Sequence, residues 1–517
     1  MLGAPSAHGR RRVAATAVVA IVVAAALALT GCSSSGGTHR GRAPTTASVA
    51  GGRGDRATAT PPLQWRDCSG GQCATLRVPL DYSRPDGTQI QLALLKVPAR
   101  DESRRIGSLL VNPGGPGASG VDLARGIAGQ LPSELRSRFD IVGWDPRGTG
   151  DSTSVNCGNR LDYLFAPDAS PDNTAEQQAV EAASKQFADT CARGSGTLLP
   201  FISSDATAQD MDRIRAAVGD DKLTYLGYSY GTYLGTLYAH AFPGRVRALV
   251  LDGAVDPALS ARELTIQQAQ GFELALNDFF TDCETNRGCA FYSNGDPQRA
   301  YEALEARIDA HPLVSHHGSR SRVLGPTQYE LGVTEALYGG RATWPLLATA
   351  LAHARSGDPT DLLGLFDDTV HRDSSGRYSN EYPAFLAISC LDGPSLGSLD
   401  TVRQVEADAR IAAPHFGVSN VTLGLPCEFW PVPPVHPTAA PVSAPGAPPI
   451  VVIGTTGDPA TPVAWARGLA AELGSGRLLL HRGEGHTAFP AGDSCLDGAV
   501  VDYLVRLVPP ADGTTCG

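Results

Sequence analysis

A chain of 517 residues is long enough for one large domain or two. Its net charge of −11 argues against nucleic acid as a partner, since neutralising a polyanion needs a basic surface. Only three of its basic residues are lysines, Lys96, Lys185 and Lys222, which reads as a bias of composition rather than as a functional surface.

The first 31 residues carry Arg10, Arg11 and Arg12, then a run over 13–30 that is apolar except for Thr16 and Thr30, and end in Leu29-Thr-Gly-Cys32. This is similar to a bacterial lipoprotein signal, which implies removal of residues 1–31 and lipidation of Cys32. The competing reading is an uncleaved anchor, because the run approaches spanning length. The arginine triplet leaves twin-arginine export open beside the general route. Residues 32–62, rich in Gly, Ser, Thr, Ala and Arg without periodicity, are expected to form a disordered tether. The chain is therefore expected to be exported, either secreted or held at the outer face of the cell membrane by the lipid alone.

Setting Cys32 aside leaves ten cysteines, an even number in an exported chain, so a disulfide set is expected. Pairing sequence neighbours suggests Cys68 with Cys73, Cys157 with Cys191, Cys283 with Cys289, Cys390 with Cys427, and Cys495 with Cys516, although sequence does not fix connectivity. Zinc is the rival use of these thiols, but the spacing lacks a C-x₂-C pair. No metal and no cofactor are expected.

Order is predicted to begin near Trp65. Residues 74–82 and 88–97 read as strands joined by the turn Arg84-Pro-Asp-Gly87. Residues 108–111 form a buried strand that runs into Asn112-Pro-Gly-Gly-Pro-Gly-Ala-Ser-Gly120. Consecutive glycines after a strand expose backbone N–H groups, and that of Gly115 is the candidate oxyanion donor. A helix follows over 121–130. The strand 139–144 then opens into Asp145-Pro-Arg-Gly-Thr-Gly-Asp-Ser152, where Asp145 and Arg147 are read as an ion pair pinning the loop rather than as catalytic groups.

An amphipathic helix over 205–218 feeds the strand 223–226. Gly227-Tyr-Ser229-Tyr-Gly231 then reverses the chain into a helix stopped by Pro243-Gly244. A serine on such a strand–turn–helix projects its hydroxyl above the sheet edge, and the helix points its N–H groups at the place where an oxyanion would form. Ser229 is the expected nucleophile, and the N–H of Tyr230 the second oxyanion donor. The pattern also occurs at Gly393-Pro-Ser395-Leu-Gly397, after the apolar run 385–388. Ser395 is the weaker reading, because Cys390 and Asp392 crowd it and no small-residue helix follows directly.

Residues 246–251 form the next strand. From 257 to 446 the alternation stops, with helices expected over 262–283, 296–310, 342–355 and 401–413 and a proline-rich return over 431–449. This stretch is read as a helical cap over Ser229, dividing a core of 63–256 and 447–517; the alternative is a domain packed elsewhere. The strand 449–453 ends in Gly454-Thr-Thr-Gly-Asp458-Pro, a helix covers 462–473, and the strand 477–481 ends in Gly483-Glu-Gly-His486-Thr. Strands alternating with helices predict an α/β fold, a mostly parallel sheet with helices on both faces and active loops at the carboxyl ends of the strands. Acid and histidine after successive late strands complete the order Ser229, Asp458, His486 used by such triads. Asp252 is the competing acid; His481, inside the strand, is read as core, and Glu484 as solvent-facing.

Taken together, Asn112-Pro-Gly-Gly-Pro-Gly, the loop 145–152, Gly227-Tyr-Ser-Tyr-Gly231, Leu251-Asp-Gly253, Gly457-Asp-Pro459 and Gly485-His486-Thr resemble the secreted tripeptidyl-aminopeptidase-like α/β-hydrolases of high-GC bacteria. The resemblance runs from about Trp65 to the C-terminus. It implies a serine exopeptidase that removes short peptides from a free N-terminus, with the cap limiting how many residues are accepted. The related prolyl aminopeptidases carry His before the Gly-Gly-Pro-Gly turn; here that position is Pro113, which favours tripeptide release over strict proline specificity. Peptides are thus the expected partners, and a buried ammonium needs a carboxylate. Asp392 and Glu428, beside Cys390 and Cys427, are the candidates, with structural roles as their alternative. An esterase using the same three residues, or a non-catalytic binding lipoprotein, are the rival readings.

Overall fold

The computed structural model describes residues 63–315, 321–393 and 395–517. The signal segment, Cys32 and the tether lie outside the described residues. Among the described residues, no helix is long and apolar enough to cross a membrane.

Strands β1 (Arg66–Cys68), β2 (Gly71–Pro79) and β3 (Gln89–Val97) form an antiparallel start, and β3 also runs antiparallel to the strand Phe139–Trp144. Along β2 the exposed Thr75 and Arg77 alternate with the buried Leu76 and Val78, as a sheet margin with one wet face requires. Strands β4 (Gly107–Asn112), β5 (Phe139–Trp144) and β6 (Leu223–Tyr228) are buried at every position, the pattern of parallel strands covered by helices on both faces. β7 (Val246–Asp252), β10 (Ile450–Gly457), β11 (Gly476–Glu484) and β12 (Thr514–Cys516) extend the parallel part, while β8 (Leu313–Ser315) and β9 (Arg322–Leu324) form a separate two-stranded antiparallel sheet. The order across the sheet is β1-β2-β3-β5-β4-β6-β7-β10-β11-β12. Ser229, Asp458 and His486 thus follow β6, β10 and β11, on one edge.

The helical insertion contains the four expected helices, found at Ala261–Thr285, Pro297–Ala310, Trp344–Arg355 and Leu399–Ala412. The first begins with a reciprocal cap in which Ser260 and Glu263 satisfy each other's backbone N–H groups. Sequence reading missed Pro326–Tyr338, Thr360–Thr369 and Glu381–Asp392. It also missed the 22-residue helix Thr174–Ser195, which lies outside the 257–446 boundaries yet packs into the same layer, placing Val180 against Val402, Val405 and Leu425. The insertion touches the loops at the sheet edge, where the Tyr338 carbonyl accepts from the His486 backbone N–H. The helix Glu381–Asp392 lies so close to Gly117 that a Cβ there would come within 2.6 Å of the Phe385 nitrogen.

All ten described cysteines are joined in the five expected pairs. Their sulfurs are thereby withdrawn from zinc ligation.

Candidate active site

The chain leaves β6 at Tyr228 and enters the helix Tyr230–Ala241 through Ser229, whose φ of 53° and ψ of −126° are strained for a residue with a side chain. The strain is held in place from below, where the Ser229 N–H donates to the Asp252 carbonyl at 2.8 Å and its own carbonyl accepts from the Thr232 hydroxyl at 2.6 Å. Small neighbours are a steric necessity. A Cβ at Gly227 would meet the Tyr225 ring at 2.5 Å, and one at Gly114 would lie 2.7 Å from the Tyr230 nitrogen and 3.0 Å from the Ser229 Cβ. The glycine turn after β4 therefore touches the serine through Gly114; Gly115 is one residue further on, with a φ of 102°.

Asp458 is fixed by its own turn. Its Oδ1 accepts from the N–H groups of Ala460 and Thr461 at 2.9 and 2.8 Å, and its Oδ2 accepts from the Thr461 hydroxyl at 3.0 Å and the Thr487 N–H at 3.2 Å. The remaining capacity of the carboxylate faces His486 Nδ1 at 2.9 and 3.0 Å. An imidazole that donates from Nδ1 to a carboxylate presents its lone pair at Nε2. The ring is further positioned by the cap: the His486 N–H donates to the Tyr338 carbonyl at 2.8 Å, and the Tyr338 ring packs edge-on at a centroid distance of 5.4 Å.

Among the described residues, the buried Ser229 Oγ and His486 Nε2 each lack a hydrogen-bond partner. Both groups lie against the turn after β7. Ser229 binds Asp252 through its backbone, and a Cβ at Gly253 would sit 3.1 Å from His486 Cε1. The hydroxyl and the imidazole thus share one buried corner without the direct hydrogen bond the sequence led us to expect; such bonds commonly tighten only with substrate in place.

Asp252, the competing acid, serves the loop rather than the ring. It accepts from the N–H groups of Ala488 and Phe489, at 2.7 Å for the latter, and burial pushes its carboxyl up to about 7. The expected Asp145–Arg147 pair does not form. Arg147 is fully buried and grips Asp210 with two bonds of 2.7 Å, whereas Asp145 accepts from the Ser119 hydroxyl at 2.6 Å and the Asp151 N–H at 2.8 Å. The guanidinium finds its partner on the helix Ser204–Ala217, and the carboxylate finds N–H and O–H donors nearer by.

Glu428 is also engaged, accepting from Gly397 N–H at 2.9 Å and from Leu396 N–H, so it caps the Ser395 loop instead of facing a substrate amine. Ser395 itself follows a helix, since the run 385–388 belongs to Glu381–Asp392, and the strand that a nucleophile turn requires is missing there. Asp392 is buried, accepting from the Ser204 N–H at 2.7 Å and the Tyr230 hydroxyl. His481 and Glu484, read as core and solvent-facing, are both half-buried. Thr461 and Tyr338 were missed. The spacing Asp458-Pro-Ala-Thr461, an acid ahead of backbone donors, could have flagged the first; Tyr338 arrives from the cap and left no local signal.

A mostly parallel sheet with a strained serine after β6 and an acid–histidine pair after β10 and β11 defines an α/β-hydrolase. Residues 107–324 match the family model described as alpha/beta hydrolase fold, and residues 413–516 the one described as TAP-like protein. The serine protease Hip1 of Mycobacterium tuberculosis is 40% identical over 481 residues, covering 88% of this chain and 91% of that protein. Carboxylesterase B of the same organism is 37% identical over 457 residues, covering 86% of each chain. The tripeptidyl aminopeptidase of Streptomyces lividans is 30% identical over 471 residues, covering 88% of this chain and 86% of its own. The chain belongs to the TAP-like α/β-hydrolases.

Proposed function

We propose that this chain is an exported serine exopeptidase that releases short peptides, tripeptides foremost, from the free N-terminus of its substrates. The observation that carries the reading is the buried corner where Ser229 Oγ and His486 Nε2 lie unengaged while Asp458 holds Nδ1. Ser229 Oγ attacks the scissile carbonyl and passes its proton to His486 Nε2, and Asp458 stabilises the imidazolium. The N–H groups of Tyr230 and Gly115 receive the negative charge on the carbonyl oxygen. Nε2 then protonates the departing amine. Water attacks the acyl-enzyme, giving one proton to Nε2, and release of the peptide acid restores the serine hydroxyl. Five disulfides support folding in an oxidising compartment. Anchoring through Cys32 rests on the leader sequence alone.

The relatives named serine protease and tripeptidyl aminopeptidase support the peptidase reading, and the one named carboxylesterase supports an esterase using the same acyl transfer. A panel of tripeptide anilides with free and blocked N-termini, run beside short acyl esters, separates the two. Turnover of the free-amine peptides, lost in Ser229→Ala and retained in Ser395→Ala, is expected; turnover of esters alone would overturn the exopeptidase assignment, and Ser229-independent turnover would overturn the nucleophile.

A further inference from the structure

Tyr230 links the proposed oxyanion position to a cavity of about 150 Å³. The hollow is walled by Tyr230 and Tyr233 of the nucleophile helix, by Leu259 and Leu264 at the start of the cap, and by Val442 of the proline-rich return. A hollow of this size holds a group as large as benzene. Its charged lining residues are Asp256, Asp392 and His436, with no lysine or arginine among them. His436 is given to Asp205 at 2.6 Å.

Asp392 is 4% exposed and is met there by the Tyr230 and Ser204 hydroxyls and the Ser204 amide, none of which carries charge. The two carboxylate oxygens accept about four hydrogen bonds between them, so room remains for a further donor. Burial pushes its carboxyl up to about 6, which leaves it ionised at neutral pH. Desolvated negative charge next to an apolar hollow is costly unless a cation arrives.

Tyr230 also sets a length. Its backbone N–H marks the proposed oxyanion position and its hydroxyl rests on Asp392. A substrate side chain lying alongside this ring, from the residue whose carbonyl meets that N–H, reaches the carboxylate if it is about as long as tyrosine. Lysine and arginine have that length, an apolar stem for the walls and a charged head for the acid. The two tyrosine rings add faces that attract a cation. Resting on the acyl-transfer reading above, we propose that the cavity is the pocket for a lysine or arginine side chain at the residue whose carbonyl is attacked, with Asp392 as its charge partner.

The test is kcat/KM of the full chain on free-amine tripeptides that differ only in the last residue, lysine, arginine or norleucine, each prepared as the anilide and as the ethyl ester. Lysine and arginine are expected to exceed norleucine by about tenfold to a hundredfold, the range of a hydrogen bond to a charged group. Asp392→Asn should collapse that ratio toward one. Leu264→Arg, which places a cation in the hollow, should do the same, so the reading survives poor folding of the first variant. Equal turnover of lysine and norleucine by the unmodified chain overturns the pocket. So does an Asp392→Asn variant that slows every free-amine peptide alike with the ratio unmoved, which would assign the carboxylate to the α-amine. Silent anilides with active esters would sink the peptidase reading while the ester ratio still decides the pocket.

Discussion

The chain contains the same five-residue pattern twice, and the two copies fold into opposite situations. At Gly227-Tyr-Ser229-Tyr-Gly231 the pattern follows a fully buried strand, and the serine is forced to a positive φ with its hydroxyl unengaged. The second copy, around Ser395, follows the helix Glu381–Asp392, and its backbone N–H groups at 396 and 397 are taken up by Glu428. One copy keeps a polar group free in a buried corner; the other has its backbone N–H groups satisfied by Glu428. The difference lies in the preceding element and in distant partners, Asp252 and Thr232 for the first and Glu428 for the second, rather than in the five residues themselves.

The sharpest way to break this comparison is Ser229→Ala against Ser395→Ala. The first should lower kcat by about 10⁴ to 10⁶-fold and the second should leave it within about twofold, measured on the same peptide anilide. Asp458→Asn should follow with a loss of about 10⁴-fold in kcat, because the ring would settle in the wrong tautomer. An equal loss in Asp252→Asn would mean that the acid had been misassigned. Gly114→Ala drives a methyl to 2.5 Å from the Tyr228 carbonyl and should cost about a hundredfold in kcat, the effect of misplacing the serine turn by about an ångström.

The smallest expected effect concerns the cap, where the second copy resides. Burial pushes the Glu335 carboxyl up to about 8. An acid whose folded value is raised binds its proton more tightly in the folded chain, so its contribution is complete below the ordinary glutamate range and is lost as pH climbs through about 8. Glu335→Gln removes that loss, and its Tm should exceed that of the unmodified chain by about 2–5 °C at pH 9 while matching it near pH 4. A Tm difference that does not change with pH would show that Glu335 does not titrate on folding.

Much of the sheet edge was legible because buried parallel strands are written as uninterrupted apolar runs and the loops after them are punctuated by glycine. Ser229, Asp458 and His486 stand at such punctuation. The partner of Arg147 was not legible, since Asp210 lies on another helix and nothing in the loop 145–152 points to it. The helix Thr174–Ser195 was missed because its buried face is assembled largely from small or polar residues, Ala183, Ser184, Ala188 and Ser195, with Val180 and Phe187 as the widely spaced exceptions. Tyr338 touches His486 only through tertiary packing, which local pattern does not encode.

Phe187 of the helix Thr174–Ser195 belongs to a seam built from two separate stretches of chain. Val155, Phe165 and Phe187, which precede the nucleophile in sequence, interleave with Phe366, Tyr382 and Phe385, which follow it. Lifting one stretch would pull against the other. Any opening would have to part an aromatic seam that is held from both sides of the nucleophile in sequence.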